Sequence, residues 1–231
     1  MVLPCLNWKS GSDDLIKEAI AYKLYATISP YHFKTRMVAI DFTEERGNRT
    51  IEHQLMGILI EDDKNVANRH NGKRIKRPIN PLSQDAISSI QNAFFQFMIA
   101  NIDYSAAYQH NEKLFFINKK VIPVPYDFDM SGFVDASYAD VSELKNKSLS
   151  ITKITQRMYR GFKREEAVAH KVRNEFLKNK VKMLKDIDGF EPLFYNPKEF
   201  TIAKEFFLSF FEIITSDYEF KKQIISKART K

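Results

Sequence analysis

The stretch VIPVPYDFDMSGF, residues 121–133, places two carboxylates, Asp127 and Asp129, directly after a β-rich run. Carboxylates are poor strand formers, and burying one is costly unless a cation or a hydrogen-bond donor meets it. Asp also favours turns for backbone reasons of its own. The pattern therefore indicates either a capped turn or a site that holds a cation.

The composition indicates a globular protein with ample apolar side chains for a core. The chain has 231 residues, 44% of them hydrophobic and 13% aromatic, enough for one sizeable domain or a domain with a helical appendage. It contains no run of 18 apolar residues and no signal-peptide pattern, so we expect a cytoplasmic protein without a membrane span. A single cysteine, Cys5, excludes an internal disulfide.

The net charge of +7 is concentrated in one part of the chain. From Lys145 to Lys185 there are 13 Lys or Arg residues against three Glu, which leaves the rest of the chain slightly acidic. A smaller basic group lies in NGKRIKRP, residues 71–78. Such runs are typical of solvated helix faces and, less often, of sites for phosphate-bearing partners. Nucleic acid is therefore an open partner, although not the favoured one.

The N-terminal part of the chain alternates helix and hairpin patterns. Ser12 is the predicted N-cap of an amphipathic helix at 13–29, in which apolar residues recur at helical spacing. Residues 33–42 and 53–63 have strand patterns, and together they predict an antiparallel hairpin. The polar, basic segment at about 64–82 is predicted to be a loop.

The following segments predict a core helix, a second hairpin and then helices. Ser83 caps the helix QDAISSIQNAFFQFMIAN, and KLFFI with VIPVPYDF predicts a tight hairpin. From about Leu149 onward the pattern is helical, in TKITQRMYRGF, REEAVAHKVRNEFLKNKVKMLKDI, PKEFTIAKEFFLSFFEIIT and DYEFKKQIISKA. The predicted fold class is α+β, a small antiparallel sheet module followed by a mainly helical part.

The segment RMYRGFKREE, residues 157–166, interleaves arginines with aromatic residues and has two interpretations. The arginines could grip phosphates or an acidic substrate while the aromatic rings stack on bases. Alternatively, the segment is a helix whose Met158, Tyr159 and Phe162 face the core while its arginines face water.

Four oxygen-bearing side chains fall within 27 residues, at the ends of predicted elements: Asp103, Asn111, Asp127 and Asp129. Because a hairpin returns the chain to its start, position 127 should lie near position 111. Carboxylate and amide oxygens suit Mg²⁺ or Mn²⁺, which retain waters and bind phosphate oxygens. A remaining carboxylate can orient a hydroxyl nucleophile. The layout is that of phosphoryl transfer, with turn capping as the alternative.

The segment ANIDYSAAYQHNEKLFFINKKVIPVPYDFDMSGFVDASYA, residues 100–139, resembles the core of the atypical protein-kinase-like phosphotransferases of the CotH type. The matching pieces are N-x-D at 101–103, Asn111, and P-Y-D-F-D at 125–129, and HipA-like kinases show a related pattern. The resemblance implies an atypical protein-kinase-like fold. Residues 1–82 would be the remnant of an N-lobe, and 83–231 a helical C-lobe.

The resemblance also implies roles for individual residues. Asp103 would be the catalytic aspartate that accepts or orients the substrate hydroxyl. GILIEDD resembles the strand entering the hinge between lobes, which would put Glu61 near the adenine of ATP. His110 would either contact phosphate or be a loop histidine without a chemical role. The implied ligands of Mg²⁺ are Asn111, Asp127 and Asp129, the last as a second ligand or a brace.

The chain departs from the family pattern in three ways. The spacing from Asp103 to Asn111 is longer than the D-x4-N of related kinases. Residues 1–12 contain no Gly-rich loop, and Lys9 is poorly placed to clamp phosphates. Glu18 is therefore either the ion-pair partner of a lysine that the chain lacks or an exposed helix acid. We accordingly expect a C-terminal part of a longer protein, or a chain that binds nucleotide incompletely or not at all.

The predicted reaction is Mg²⁺- or Mn²⁺-dependent transfer of the γ-phosphate of ATP to a hydroxyl of a protein or small molecule. One alternative is an inactive kinase-like binding module whose basic helices hold a partner. The other is a metal-dependent phosphodiesterase that acts on nucleic acid.

Overall fold

The computed structural model describes residues 1–4, 10–139 and 151–230. The helices are α1 (Ser10–Ile28), α2 (Asp63–Arg69), α3 (Ala86–Met98), α4 (Glu166–Asp188), α5 (Pro197–Thr215) and α6 (Asp217–Gln223). The strands are β1 (Thr35–Arg46), β2 (Arg49–Ile60), β3 (Lys73–Ile75), β4 (Glu112–Ile117) and β5 (Lys120–Pro125). The α+β class, with small antiparallel sheets before a helical C-terminal part, is confirmed.

Both predicted hairpins are present. In the first, β1 pairs with β2 from Thr35 opposite Ile60 to Arg46 opposite Arg49. These strands are longer than predicted because the polar residues up to Arg46 continue the ladder, and Gly47 supplies the left-handed turn with a φ of 59°. In the second sheet, the order is β3–β4–β5 and both pairs are antiparallel.

The prediction of a loop at 64–82 is wrong. α2 begins after Asp62, whose side chain accepts a hydrogen bond from the N–H of Lys64 at 2.8 Å. It buries only Val66 and Ala67, too few apolar residues to produce a helical pattern in the sequence. β3 then adds residues 73–75, of which Lys73 and Arg74 are basic, to the edge of β4.

The two predicted N-caps are also wrong. α1 begins at Ser10, so Ser12 lies inside its first turn. α3 begins after Asp85, whose Oδ2 accepts hydrogen bonds from both the N–H and the hydroxyl of Ser88 at 3.0 Å. Ser83 instead ends a short 3₁₀ turn. A carboxylate that satisfies two donors defines the start of the helix better than a serine hydroxyl.

α1 is buried around its circumference and is not a half-exposed amphipathic helix. Asp13, Lys17 and Glu18 are all buried, so the prediction of an exposed Glu18 is wrong. The carboxylate of Asp13 accepts hydrogen bonds from the N–H groups of Tyr195 and Asn196, at 2.7 and 3.0 Å, just before α5. These polar contacts explain why a central helix carries charged residues.

The C-terminal helices α4, α5 and α6 are confirmed, but the predicted helix TKITQRMYRGF is wrong. Residues 156–165 are not helical, and their arginines turn inward. Arg157 and Arg160 donate to backbone carbonyl groups, so the interpretation in which these arginines face water is wrong. Tyr159 is buried, as expected. Leu149, Cys5 and Lys9 lie outside the described residues.

A phenylalanine-rich core joins α1, α3, α4 and α5. The rings of Phe94 and Phe176 are in tilted contact with their centroids 5.7 Å apart, and Phe176 contacts Phe210 at 5.6 Å. All three rings are fully buried. In the described part of the chain, no helix combines the length and the apolar character needed to cross a membrane.

Candidate active site

The hairpin β4–β5 brings the segment before β4 next to the segment after β5. Glu112 lies opposite Pro125, and the N–H of Tyr126 donates to the carbonyl oxygen of Asn111 at 3.1 Å. The strands are joined by two left-handed residues, Asn118 and Lys119, with φ values of 49° and 63°. Asn111 and the turn at 127–129 are therefore neighbours in space.

Asp103 and Asn111 are in direct contact. The amide Nδ2 of Asn111 donates to the backbone carbonyl oxygen of Asp103 at 2.7 Å and to its Oδ2 at 3.1 Å. Ser105 and His110 exchange two backbone hydrogen bonds, which close the intervening residues into a small loop. Asn101 accepts a hydrogen bond from the N–H of Asp103 at 2.9 Å. The residues between Asp103 and Asn111 thus form a closed loop, so their long spacing in the sequence does not separate these two side chains in space.

Arg160 holds the backbone around Asp103. Its Nη1 donates to the carbonyl oxygens of Ile102 and Tyr104, the latter at 2.9 Å, and its guanidinium lies 5.4 Å from the ring centroid of Tyr104. This role was not predicted, because the only signal for it in the sequence is the interleaving of arginine with aromatic residues, which does not distinguish an inward-facing from an outward-facing guanidinium.

The D-F-D turn is anchored by its central residue. Phe128 is fully buried and contacts the rings of Tyr22 on α1 and Phe95 on α3, at 4.7 and 5.2 Å. Asp127 has a φ of 65°, and its N–H donates to the hydroxyl of Tyr22 at 2.9 Å. The buried ring fixes the turn, and the left-handed residue redirects the chain away from β5.

The carboxylates of the turn interact with the loop before β4. Asp127 as a whole is exposed, but its carboxyl group is partly buried. This burial raises the pKa of Asp127 to about 6, and the negative charges of Asp129 and Asp103 contribute to the rise. His110 opposes that shift, and its Nε2 lies 3.2 Å from Oδ1 of Asp103. Asp129 accepts a hydrogen bond from the hydroxyl of Tyr138 at 3.2 Å. The predicted site residues Asp103, Asn111, Asp127 and Asp129 therefore lie in one region.

Glu18 on α1 adds a carboxylate to the same region. It is 2% exposed, and burial, followed by the negative charges of Asp129 and Asp127, raises its pKa to about 8. Its Oε1 has no hydrogen-bond partner among the described residues. The signal for this residue was its position one helical turn before Tyr22, within the apolar residues of the predicted helix.

Glu61 lies elsewhere, in an ion pair. Its carboxylate contacts Nη2 of Arg69 at 2.8 Å and accepts a hydrogen bond from the N–H of Lys34 at 3.0 Å. Burial raises the pKa of Glu61, but the hydrogen bonds and charge of these partners outweigh that effect and hold it below its usual value. The expectation that Glu61 lies near the adenine of ATP stays a prediction, and its side chain is already engaged by Arg69 and Lys34.

The donor set fits a divalent cation that arrives with a phosphate ligand. Within residues 1–4, 10–139 and 151–230, no group of three or more His, Cys, Asp or Glu side chains is arranged to hold a metal ion unaided. Mg²⁺, however, is usually bound by one or two carboxylates together with waters and substrate phosphates. Asp127 and Asp129 would supply the carboxylates. Glu18, whose pKa of about 8 keeps its carboxyl group mostly protonated at neutral pH, would add negative charge when a bound cation favours its ionisation.

Comparison of the chain with protein-family models, with curated protein sequences and with solved structures gave no match. The resemblance to CotH-type and HipA-like phosphotransferases therefore stays a prediction that rests on the quoted residues.

Proposed function

We propose that the chain is an atypical kinase-like phosphotransferase that moves the γ-phosphate of ATP to a hydroxyl group of a protein or small molecule. The observation that carries this proposal is the meeting of two segments at one end of the β4–β5 hairpin. One segment brings Asp103 with Asn111 hydrogen-bonded to it, and the other brings Asp127 and Asp129, whose charges act on one another and on Asp103. Phosphoryl transfer needs this combination of a hydroxyl-orienting carboxylate and a metal-binding carboxylate pair.

In the proposed reaction, Asp103 accepts the proton of the acceptor hydroxyl. The hydroxyl oxygen forms a bond to the γ-phosphorus, the bond from that phosphorus to the bridging oxygen breaks, and ADP leaves with the electron pair. Hydrogen bonds from Asn111 hold the Asp103 carboxylate and its backbone in a fixed orientation. Mg²⁺ or Mn²⁺ would neutralise charge on the phosphates. Asp127 and Asp129 would hold the ion, and the amide oxygen of Asn111 is a further ligand.

The crowding of carboxylates supports a cation-dependent site. Glu18 and Asp127 both have raised pKa values, about 8 and about 6, because burial and neighbouring negative charges disfavour ionisation. A divalent cation at this position would relieve both effects, and its binding would release protons.

The experiment is a thermal-shift titration with ATP, Mn²⁺ and both together, followed by measurement of phosphate transfer from γ-labelled ATP. We expect a rise in Tm that requires nucleotide and metal together. Asp103→Asn should keep the rise in Tm and lose transfer, because it removes the proton acceptor and leaves the metal carboxylates in place. A parent protein that neither shifts nor transfers phosphate would contradict the proposal in favour of a binding module. Cleavage of nucleic acid with metal alone would favour a phosphodiesterase.

A further inference from the structure

A cavity of about 890 Å³ lies beside the candidate active site, within the size range of small-molecule pockets. One wall is the closed loop before β4, with Ser105, Tyr108 and His110. The facing wall is formed by the extended segment at 156–160 and by the C-terminal residues at 223–229. His110 belongs both to the cavity and to the candidate active site, because it lines the cavity and its Nε2 lies 3.2 Å from Oδ1 of Asp103.

The cavity wall carries four cations: Arg157, Arg160, Lys227 and Arg229. Among the lining residues that the structure describes, there is no Asp or Glu. None of these four cations forms an ion pair with a described residue. Such a surface is strongly positive, and an anion would be attracted to it.

Two of these arginines already use some of their guanidinium donors in hydrogen bonds within the protein. Arg157 donates to the carbonyl oxygens of Met98 and Phe206 and to the hydroxyl of Ser209, at 2.6–3.2 Å. Arg160 uses one nitrogen, Nη1, for its two carbonyl groups beside Asp103. Its remaining guanidinium nitrogens, Nε and Nη2, have no hydrogen bond to a described residue and can serve a ligand.

Arg229 is the cation whose side chain most clearly lacks a partner. Its main chain is fixed, because its N–H donates to the carbonyl oxygen of Gly161 at 2.9 Å and its carbonyl oxygen accepts from the N–H of Lys163 at 2.8 Å. Its guanidinium stacks 4.3 Å from the ring centroid of Phe162. Nε is buried and has no hydrogen-bond partner among the described residues. Because Nε is buried, the donors that this fixed arginine offers to a ligand oxygen in the cavity are Nη1 and Nη2, which form no hydrogen bond or ion pair with a described residue.

We propose that this cavity binds an organic phosphate, with the phosphate group against Arg229 and Arg160 and the apolar part against the aromatic wall. Arginine binds phosphate through paired, charge-assisted hydrogen bonds, and a dianion balances several cations better than a single carboxylate does. Tyr159 and Phe97 supply the apolar wall. Because His110 connects the cavity to Asp103, the bound molecule is the phosphate acceptor, a role that rests on the proposed function.

The test is isothermal titration of the chain with phenyl phosphate, without ATP or metal. We expect binding to the parent, weaker binding of benzoate, and a loss of affinity of about tenfold or more for phenyl phosphate in Arg229→Gln. Lys227→Gln changes an exposed side chain, so it tests the charge requirement without a folding risk, and we expect a smaller loss. Arg36→Gln, at an exposed position of β1, is the control and should bind as the parent does.

Equal affinities of the parent, Arg229→Gln and Lys227→Gln for phenyl phosphate would overturn the cavity proposal, as would tighter binding of benzoate. Should Arg229→Gln fail to fold, the comparison of the parent with Lys227→Gln decides. Asp127→Asn separates this proposal from the proposed function. It should lose the response to ATP with Mn²⁺ and keep its affinity for phenyl phosphate, so either proposal can fail while the other stands.

Discussion

Arg160 donates hydrogen bonds from one guanidinium nitrogen to the carbonyl groups on both sides of Asp103. The segment that contains Asp103 lies between α3 and β4 and has no helix or strand ladder of its own. Its backbone acceptors must nevertheless be satisfied when they are buried. The arginine therefore replaces secondary structure where the proposed catalytic carboxylate needs a fixed position.

Arg160→Lys should lower both stability and phosphate transfer. A lysine ammonium cannot reproduce the planar, forked geometry, so we expect a loss of about 1–3 kcal/mol in the free energy of unfolding. We also expect kcat to fall, since the backbone around Asp103 is no longer held. Urea denaturation and the phosphate-transfer assay measure the two effects.

Arg164→Lys is the matched control, because Arg164 also donates to carbonyl groups, those of Pro81, Leu82 and Gln84, but away from Asp103. It should lose stability and keep kcat. A parent-like kcat in Arg160→Lys would show that the arginine does not position the site.

Glu112 should make stability depend on pH. It is fully buried, and desolvation raises its pKa to about 8, although hydrogen bonds from Gln84 and Asn92 oppose the shift. The folded protein then binds more protons than the unfolded chain between about pH 4.5 and pH 8. The free energy of unfolding should fall as pH rises through this window.

Glu112→Gln should remove that part of the pH dependence and stabilise the protein at pH 8 by about 1–4 kcal/mol. The measurement is urea unfolding at pH 5 and pH 8, with the exposed Glu205→Gln as the control. An unchanged difference between the two pH values in Glu112→Gln would mean that Glu112 does not titrate in this range.

Glu18→Gln should separate stability from cation binding. The amide removes a buried carboxyl group whose pKa is raised to about 8, so the metal-free protein should become more stable at pH 8, by about 1–3 kcal/mol. The same change removes negative potential beside Asp127 and Asp129 and should weaken Mn²⁺ binding. Thermal denaturation with and without Mn²⁺ and ATP measures both effects. A variant that is stabilised but binds Mn²⁺ as the parent does would place Glu18 outside the metal site.

Lys119→Gly should stabilise the hairpin that carries the site. Lys119 has a φ of 63°, which is strained for a residue with a side chain, and an Asn-Gly pair suits a two-residue turn of this kind. The relief is partly offset by the greater freedom of glycine in the unfolded chain, so we expect a gain of about 0.5 kcal/mol. Lys119→Val, a β-branched residue at the same φ, should instead destabilise. Urea midpoints of the three proteins give the order, and a reversed order would contradict the turn geometry.

The sequence predicted the elements that have a regular apolar period. The helices α4 and α5 bury one face, and α3 and the β4–β5 hairpin are largely buried, which gives each a recognisable apolar pattern. α1 was predicted from its apolar residues although it is buried around its circumference, and the β1–β2 hairpin was predicted from its strand-forming residues although β1 has no buried residue. α2 was missed because a hydrogen bond from Lys64 to Asp62 defines it and only Val66 and Ala67 are buried. The segment around Arg157 and Arg160 was assigned to a helix from its spacing of apolar residues, but both arginine side chains satisfy carbonyl groups of other segments, and this inward role is not visible in the spacing.

The site was predictable where it follows from chain geometry. A hairpin must bring Asn111 near the turn at 127–129, and the structure places them together. The contact between Asn111 and Asp103 depends on the closure of the loop by Ser105 and His110, which the spacing does not reveal. Glu18 was interpreted as the partner of an absent lysine or as an exposed helix acid, and its burial beside Asp127 and Asp129 was not predicted, because an acidic residue in a helix is normally exposed.

In the proposed function, Asp127 and Asp129 bind a divalent ion together with the phosphates of ATP. Electron paramagnetic resonance measures this binding directly, by titration of the protein with Mn²⁺ in the presence and absence of ATP. The variant is Asp127→Asn, since asparagine tolerates the left-handed φ of 65° better than alanine does. Asp135→Asn, an exposed aspartate with a φ of 49°, is the matched control. The account predicts ATP-dependent Mn²⁺ binding in the parent and in Asp135→Asn, and affinity at least about tenfold weaker in Asp127→Asn. Equal Mn²⁺ affinity in all three proteins would contradict it.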